Sequence, residues 1–158
     1  MMGKVNVGWF SFSCCEDSTI LFTELLNTKW DEWKKIIDIK HARVLKKTGE
    51  IKNLDISFVE GAIATAKDFK KLKEIRKNSK ILVAIGACAC EGMPSAQRNL
   101  FTKKQKNEIQ QDVKKFKMLK ETLPLNKVVK VDEYVKGCPM DVDLFLKVFD
   151  KALSEVGE

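Results

Sequence analysis

Residues 80–85 (KILVAI) are almost entirely apolar, which is typical of a β-strand covered on both faces by helices. They lead into residues 86–94 (GACACEGMP), which we predict to be a loop of small residues. Strand-like and helix-like stretches alternate on either side of this point. The alternation predicts a single α/β domain over residues 1–158, with a doubly wound parallel sheet of about five strands.

The predicted elements follow from residue type and periodicity. Stretches rich in β-branched and aromatic residues predict strands at residues 4–13, 37–45, 54–59, 80–85 and 128–135. Helical groupings of apolar residues predict helices at residues 17–27, 65–78, 95–120 and 141–156. The helix at 95–120 is rich in lysine, which we interpret as its solvated face, with docking on a partner as the alternative.

Composition excludes several classes of protein. Of the 158 residues, 44% are hydrophobic and 32% are charged, so a disordered or fibrous chain is excluded. No stretch approaches the roughly 18 apolar residues of a membrane span, and residues 1–4 do not begin a signal peptide. The net charge of +7 comes mostly from lysine. We therefore expect no nucleic-acid readout and no membrane insertion, and docking on an acidic partner, or solubility alone, fits the charge better.

All five cysteines follow predicted strands. Cys14 and Cys15 follow the first strand, Cys88 and Cys90 the fourth, and Cys138 the fifth. Parallel strands bring these positions to one edge of the sheet, where ligands bind in open α/β folds. An odd cysteine count in a chain without secretion signals argues against a disulfide framework. The pattern favours a metal site or a reactive thiol.

The neighbouring residues support a thiolate site. Gly86 and Gly137 permit tight turns that leave backbone amides free to face sulfur. Pro139 suits the first turn of the following helix, which would place Cys138 at a helix N-terminus. Four thiolates suit an iron–sulfur cluster or a tetrahedral zinc ion, and ligands contributed singly favour the cluster. Buried core cysteines, or a Cys14–Cys15 redox pair, are the alternatives.

As an ordered set, these motifs resemble the small subunit of nickel–iron hydrogenases and the related subunit of complex I that carries its terminal cluster. The resemblance spans about residues 4–152 and is carried by Cys14-Cys15, 59–61 (VEG), 86–89 (GACA), 92–94 (GMP) and 137–139 (GCP). It implies a flavodoxin-like domain with one 4Fe–4S cluster, proximal to a nickel–iron centre on a large partner subunit. The chain ends soon after Pro139, without a cysteine-rich extension, so it resembles the short cytosolic type.

The resemblance leaves the ligand set open. Hydrogenase small subunits usually begin the site with C-x-x-C, whereas here Ser18 occupies the second place counted from Cys15. Cys14 and Cys15 together could ligate with Cys88 and Cys138, as in the complex I relatives. Otherwise a Ser18 oxygen could act beside Cys15, or Cys90 could complete the set. We prefer the first set, which needs no unusual ligand; an absent or labile cluster is the remaining alternative.

Two acidic residues and one histidine are further candidates beside the cysteines. Glu60, followed by Gly61, stands where the family has a carboxylate near the cluster, so it could serve an electron or proton path, orient the partner subunit, or cap a turn. Glu16 is a weaker candidate for the same path, since helix starts attract acids. His41, in the second strand, is expected to be structural.

The resemblance implies a non-catalytic subunit of a cytoplasmic oxidoreductase. The chain would relay electrons to or from the large subunit of a hydrogenase, with a further redox subunit as second partner. One alternative is a cluster subunit of a complex I-like or membrane-bound hydrogenase assembly. Another is a thiol- or zinc-binding domain of flavodoxin shape without a cluster.

Overall fold

The computed structural model describes residues 3–157. Eight strands lie within them: β1 Val5–Ser11, β2 Ile37–Ala42, β3 Lys47–Thr48, β4 Leu54–Glu60, β5 Ile63–Thr65, β6 Ser79–Ile85, β7 Met118–Leu123 and β8 Glu133–Val135. The α-helices are α1 Asp17–Ile36, α2 Ala66–Lys77, α3 Gly86–Glu91, α4 Lys103–Glu108, α5 Gln110–Lys115 and α6 Val142–Gly157. Short 3₁₀ helices lie between these elements at Arg43–Leu45, Gln97–Leu100 and Leu125–Lys127.

The main sheet confirms the predicted doubly wound architecture. Its strand order is β3-β2-β1-β4-β6-β8, and only β3 runs antiparallel to its neighbour. Counted along the chain, the parallel strands therefore lie in the order 2-1-3-4-5, which is the flavodoxin-like order. The strand order reverses direction beside β1, so ligand-binding residues are expected outside the carboxyl ends of β1 and β4.

Helices cover both faces of the sheet because strand residues alternate in direction. Trp9 faces the layer of α1 and α6, where its ring stacks on Phe22 with centroids 4.2 Å apart. The next residue, Phe10, faces the layer of α2 and α3, with Leu72 among its neighbours. These two apolar layers hold the strand ends rigidly in place.

The predicted helix over residues 95–120 is wrong. The segment forms a 3₁₀ turn, the two short helices α4 and α5, and the strand β7, which pairs antiparallel with β5. Thr102 starts a new helix with a capping box, in which its hydroxyl accepts a hydrogen bond from the backbone amide of Gln105. Lys117 has a left-handed backbone with φ of 51°, which ends the helical run before β7.

Other boundaries also differ from the predictions. Of the strand predicted at residues 128–135, only β8 forms. The Leu125–Lys127 turn follows Pro124, and residues 128–132 lie outside any strand. Residues 86–91 form the helix α3, where we had predicted a loop; Gly92, with φ of 88°, ends it. The first helix continues to Ile36, nine residues beyond the predicted end. None of the helices in the described chain is long and apolar enough to cross a membrane.

Candidate metal centre

One small cavity lies at the carboxyl ends of the parallel strands. Its walls come from the loops after β1, β4, β6 and β8 and are formed by Cys14, Cys15, Ser18, Glu60, Ile85, Gly86, Ala87, Cys88, Gly137, Cys138 and Pro139. Four of the five cysteines, from three separate strand ends, thus share one cavity. The parallel sheet brings them together across 124 positions of sequence, from Cys14 to Cys138.

Cys14 and Cys88 form the inner side of the cavity. Cys88 is buried and Cys14 is half-buried, with its thiol directed at the Phe12 carbonyl oxygen at 3.7 Å. Burial, followed by the nearby charges of Glu60 and Cys88, raises the pKa of Cys14 to about 12. A metal ion or cluster that binds this sulfur must therefore displace a tightly held proton.

Ser95 also contacts this inner side, although no motif had marked it. Its hydroxyl donates to the Ser13 carbonyl oxygen at 2.8 Å and lies 3.3 Å from the Cys88 sulfur. The contact joins the chain after α3 to the loop after β1. The sequence does not indicate this contact, because it depends on how the chain turns between Cys88 and Ser95.

Cys15 and Cys138 form the outer side of the cavity, and both are exposed. Ile20, one turn further along α1, is a large apolar residue that is 54% exposed. Ile20 and Cys15 border a second, neighbouring groove at the same edge. The site is thus buried on one side and opens on the other to a surface that carries exposed apolar groups.

Glu60 is almost fully buried and supports the start of α1. Its carboxylate accepts hydrogen bonds from the backbone amides of Ser18 at 3.1 Å and Thr19 at 3.2 Å, and from the Thr19 hydroxyl at 2.6 Å. A carboxylate at a helix N-terminus satisfies amides that lack helical partners and complements the helix dipole. These hydrogen bonds are those of a helix-capping carboxylate, and Glu60 also lines the thiol cavity. Glu16 lies outside the thiol cavity and lines the neighbouring groove.

Two glycines let the loops approach each other closely. Gly86 has φ of 79°, and a Cβ there would lie 3.1 Å from the Ser18 hydroxyl. Gly137 has φ of 116°, and a Cβ there would lie 2.5 Å from the Pro139 carbonyl oxygen. The Gly137 carbonyl accepts from the Ala87 amide at 2.7 Å, which fastens the two cysteine loops together.

The prediction that Cys138 starts a helix is wrong. Helix α6 begins at Val142, and Asp141 caps it by accepting the Leu144 amide at 2.8 Å. Residues 137–140 instead form a tight loop, closed by a bridge between Gly137 and Met140. Pro139 therefore shapes the cysteine loop and lies outside the first turn of the helix.

Three other predicted residues lie outside the cavity. Cys90 is a buried residue of α3, with its thiol directed at the Ala84 and Val135 carbonyl oxygens, and burial raises its pKa to about 11. Gly61, at φ of 91°, packs against the backbone of Phe12 and so helps to seat the loop after β1. His41 is buried in β2, where its Nδ1 lies 3.2 Å from the Gly49 carbonyl oxygen.

The donor set determines which metal groups fit. Across residues 3–157, no three Cys, His, Asp or Glu side chains already stand in position to hold one metal ion. A tetrahedral zinc ion with Zn–S bonds of about 2.3 Å would need its thiolates about 3.8 Å apart. A cluster instead distributes its thiolates over several irons, and cysteine thiolates are its usual ligands. Four cavity thiols, with the nearby carboxylate committed to a helix, fit that second kind of group.

The fold and the site define a flavodoxin-like α/β domain with four thiols at its ligand-binding edge. The family model described as NADH ubiquinone oxidoreductase, 20 Kd subunit, matches residues 14–152. The chain belongs to this family. The match confirms the resemblance to the complex I subunit and to hydrogenase small subunits.

Characterised relatives come from hydrogenases. The chain is 26% identical to the delta subunit of the NAD-reducing hydrogenase HoxS of Cupriavidus necator, over 94% of this chain and 78% of that protein. It is 31% identical to the gamma subunit of the coenzyme F420 hydrogenase of Methanosarcina barkeri, over 94% of this chain. It spans only about half, 54%, of the length of that second relative.

Solved structures confirm the fold. A chain of an NAD⁺-reducing [NiFe]-hydrogenase in the H2-reduced state superposes with a TM-score of 0.83 at 20% identity, covering 97% of this chain and 93% of that one. A chain of the Ni-Fe-Se hydrogenase of Desulfomicrobium baculatum gives a TM-score of 0.70 at 18% identity, covering 98% of this chain and 63% of that one. The flavodoxin-like fold is therefore shared with hydrogenase subunits.

Proposed function

We propose that this chain is the electron-transfer small subunit of a nickel–iron hydrogenase-type complex and holds one 4Fe–4S cluster. The observation that carries the proposal is the convergence of Cys14, Cys15, Cys88 and Cys138 on one cavity. The chain itself makes and breaks no substrate bonds; the nickel–iron centre belongs to a large partner subunit. We assign the protein to the cytoplasm, since free thiols persist in a reducing compartment.

The structure supports the tandem pair as ligands over the two alternatives. The Ser18 oxygen also lines the cavity, but it is buried and already accepts a hydrogen bond from the Met140 amide at 3.2 Å, which competes with ligation. The Cys90 thiol lies outside the cavity and is directed at the Ala84 and Val135 carbonyl oxygens. Cys14 lines the cavity and supplies a cysteine thiol, which is the usual ligand of an iron–sulfur cluster.

Each residue of the site has a distinct part in this function. A 4Fe–4S cluster held by the four thiolates supplies one-electron transfer. Glu60 fixes the start of α1 and with it the loop that carries Cys14 and Cys15. The Ala87–Gly137 hydrogen bond fixes the distance between the loops of Cys88 and Cys138. Burial of the inner thiols excludes water, and burial is one of the factors that set a cluster potential.

The open side of the cavity is where we place the large subunit. Cys15, Cys138 and the exposed Ile20 present a partly apolar surface at this edge. Apolar groups that surround a redox site lose contact with water when a partner covers them. Electrons would then leave or enter the chain through the covered edge. The relatives named above are subunits of hydrogenases, which supports this partner.

A complex I-like or membrane-hydrogenase assembly is the second candidate. The observation that favours it is the family description, which names the 20 Kd subunit of NADH ubiquinone oxidoreductase. It requires the same thiol site but a different large subunit. Identification of the large subunit therefore separates the two candidates.

Anaerobic purification with the native partners tests the proposal. The purified complex should be brown, with nickel bound to the large subunit. This chain, separated anaerobically from its partners, should carry about four irons and about four sulfides. Colourless protein with one zinc ion per chain would overturn the proposal in favour of a zinc-binding domain. A full cluster content without nickel in the complex would favour the complex I-like candidate.

A further inference from the structure

The segment from residue 103 to 120 concentrates positive charge away from the thiol site. It contains seven lysines and only two acidic residues, Glu108 and Asp112, so it supplies five of the seven net charges of the chain. Within residues 3–157, none of these seven lysines takes part in an ion pair. The charge is therefore not neutralised by the protein itself.

Apolar groups are exposed among these lysines. Phe116, at the end of α5, is 61% exposed, and the Lys115 ammonium lies 5.5 Å from the centre of its ring. One groove beside it is lined by Thr65, Ala66, Lys67, Lys70, Phe116 and Lys117. A second groove is lined by Arg98, Lys106, Asn107, Ile109, Gln110, Val113, Lys114 and Lys120. We call the residues that line these two grooves the Phe116 surface.

The Phe116 surface is held on a fixed frame. The Arg98 guanidinium donates to the Leu119 and Lys120 carbonyl oxygens at 2.7 and 2.9 Å. Asn99 and Thr122 exchange two hydrogen bonds of 2.8 Å each. These contacts fasten β7 to the 3₁₀ helix at Gln97–Leu100. The lysines are thus presented in a defined arrangement, unlike those of a disordered basic tail.

We propose that the Phe116 surface binds an acidic protein partner that is distinct from the subunit covering the thiol edge. An exposed aromatic residue inside a charged rim is the usual anchor of a protein interface. Lysines that lack internal partners are complementary to carboxylates on the opposing surface and accelerate association with it. The surface shares no lining residue with the thiol cavity. The inference uses the proposed function only in reserving the thiol edge for the large subunit.

Nucleic acid is a poorer match for the same charge. The guanidinium of Arg98 is committed to backbone carbonyl oxygens, so the surface offers lysines and no free arginine fork. Base recognition relies mainly on such bidentate groups. A second copy of the chain is disfavoured because two surfaces of the same positive charge repel each other.

Zero-length cross-linking of the native complex identifies the occupant. A carbodiimide joins lysine amines only to carboxylates in contact with them. We expect Lys70, Lys114 or Lys117 to be joined to Asp or Glu residues of a subunit other than the large subunit. Products confined to acids of this chain, such as Asp112, would overturn the proposal. So would products with the large subunit, which would make the surface part of the first interface.

Charge-reversal variants give a second readout. The double variant K70E/K114E, or F116A alone, should weaken retention of the cross-linked partner about tenfold. The control K35E/K127E makes the same change in net charge at exposed lysines elsewhere and should alter retention less than about twofold. Equal retention by test and control variants would contradict the proposal. Iron content, measured on the same samples, tests the cluster separately and should not change in any of these variants.

Discussion

The carboxylate of Glu60 accepts a 2.6 Å hydrogen bond from the hydroxyl of Thr19, which in turn accepts the indole N–H of Trp9 at 2.8 Å. This relay joins the aromatic core to the edge that carries the thiols. Its members come from β4, α1 and β1, so the position of the Cys14–Cys15 loop depends on a buried polar network. Such networks are stabilising only when every group is satisfied.

Replacement of Glu60 by Gln should destabilise the protein by about 1–3 kcal/mol, because a charged acceptor of three hydrogen bonds is lost. Urea unfolding followed by far-UV circular dichroism measures the change. The control E24Q removes an exposed carboxylate of α1 and should stay within about 0.5 kcal/mol of the unmodified protein. Equal midpoints for E60Q and E24Q would show that Glu60 does not hold α1.

Replacement of Gly137 by Ala should distort the Cys138 loop. The added Cβ would meet the Pro139 carbonyl at 2.5 Å in a backbone region that L-residues avoid, which costs about 1–3 kcal/mol. Iron content and unfolding midpoint should both fall. Gly3 has open space around it, so G3A serves as the control and should leave both unchanged. Full iron and normal stability in G137A would refute this role.

Asp132 should contribute stability that disappears in acid. Burial opposes its charge, but the Leu82 amide and the Arg76 guanidinium together lower the pKa of this carboxyl. A folded pKa below the unfolded value of about 3.9 gives stability above that pH, which is lost as pH falls through the folded value.

D132N should therefore be less stable than the unmodified protein by about 1–3 kcal/mol at neutral pH, with the two converging below a pH of about 4. Urea unfolding across pH measures the difference. D150N, which alters an exposed carboxyl of α6, is the control. A difference between D132N and the unmodified protein that is independent of pH would contradict the assignment.

His41 should make the protein sensitive to mild acid. Burial lowers its pKa, against the effect of the Gly49 carbonyl, and the nearby Lys71 and Arg43 lower it further. The unfolded chain then binds the proton first, so stability falls as pH drops below about 6.5. H41F keeps a ring to stack on Phe10 and cannot titrate. As pH falls, the unmodified protein should therefore lose stability relative to H41F. A difference in stability between the two that does not change with pH would contradict this prediction.

The sequence predicted those features that depend on local residue type and strand order. The apolar stretch at 80–85 and the alternation around it indicated a parallel sheet, and that sheet implied where the residues after each strand would meet. Four cysteines and Glu60 line one cavity for that reason. The family resemblance added the identity of the group they could hold, which spacing alone left open.

The missed features depend on tertiary contacts. The run at 95–120 has helical composition, yet β7 pairs with β5, a partner more than fifty residues earlier in the chain. The side chains of Cys88 and Cys90 point to different sides of α3. The sequence cannot show this difference when the segment is predicted to be a loop. Ser95 reaches Cys88 only because the chain turns back after Gly92.

The iron content of three cysteine variants tests the central claim most directly. C88A, C138A and C90A each remove one thiol, and Cys90, buried two residues beyond Cys88, is the matched control. We predict that anaerobically purified C90A keeps about four irons per chain, whereas C88A and C138A lose the cluster and its electron transfer. A full complement of iron in C138A, or an equal loss in C90A, would contradict it.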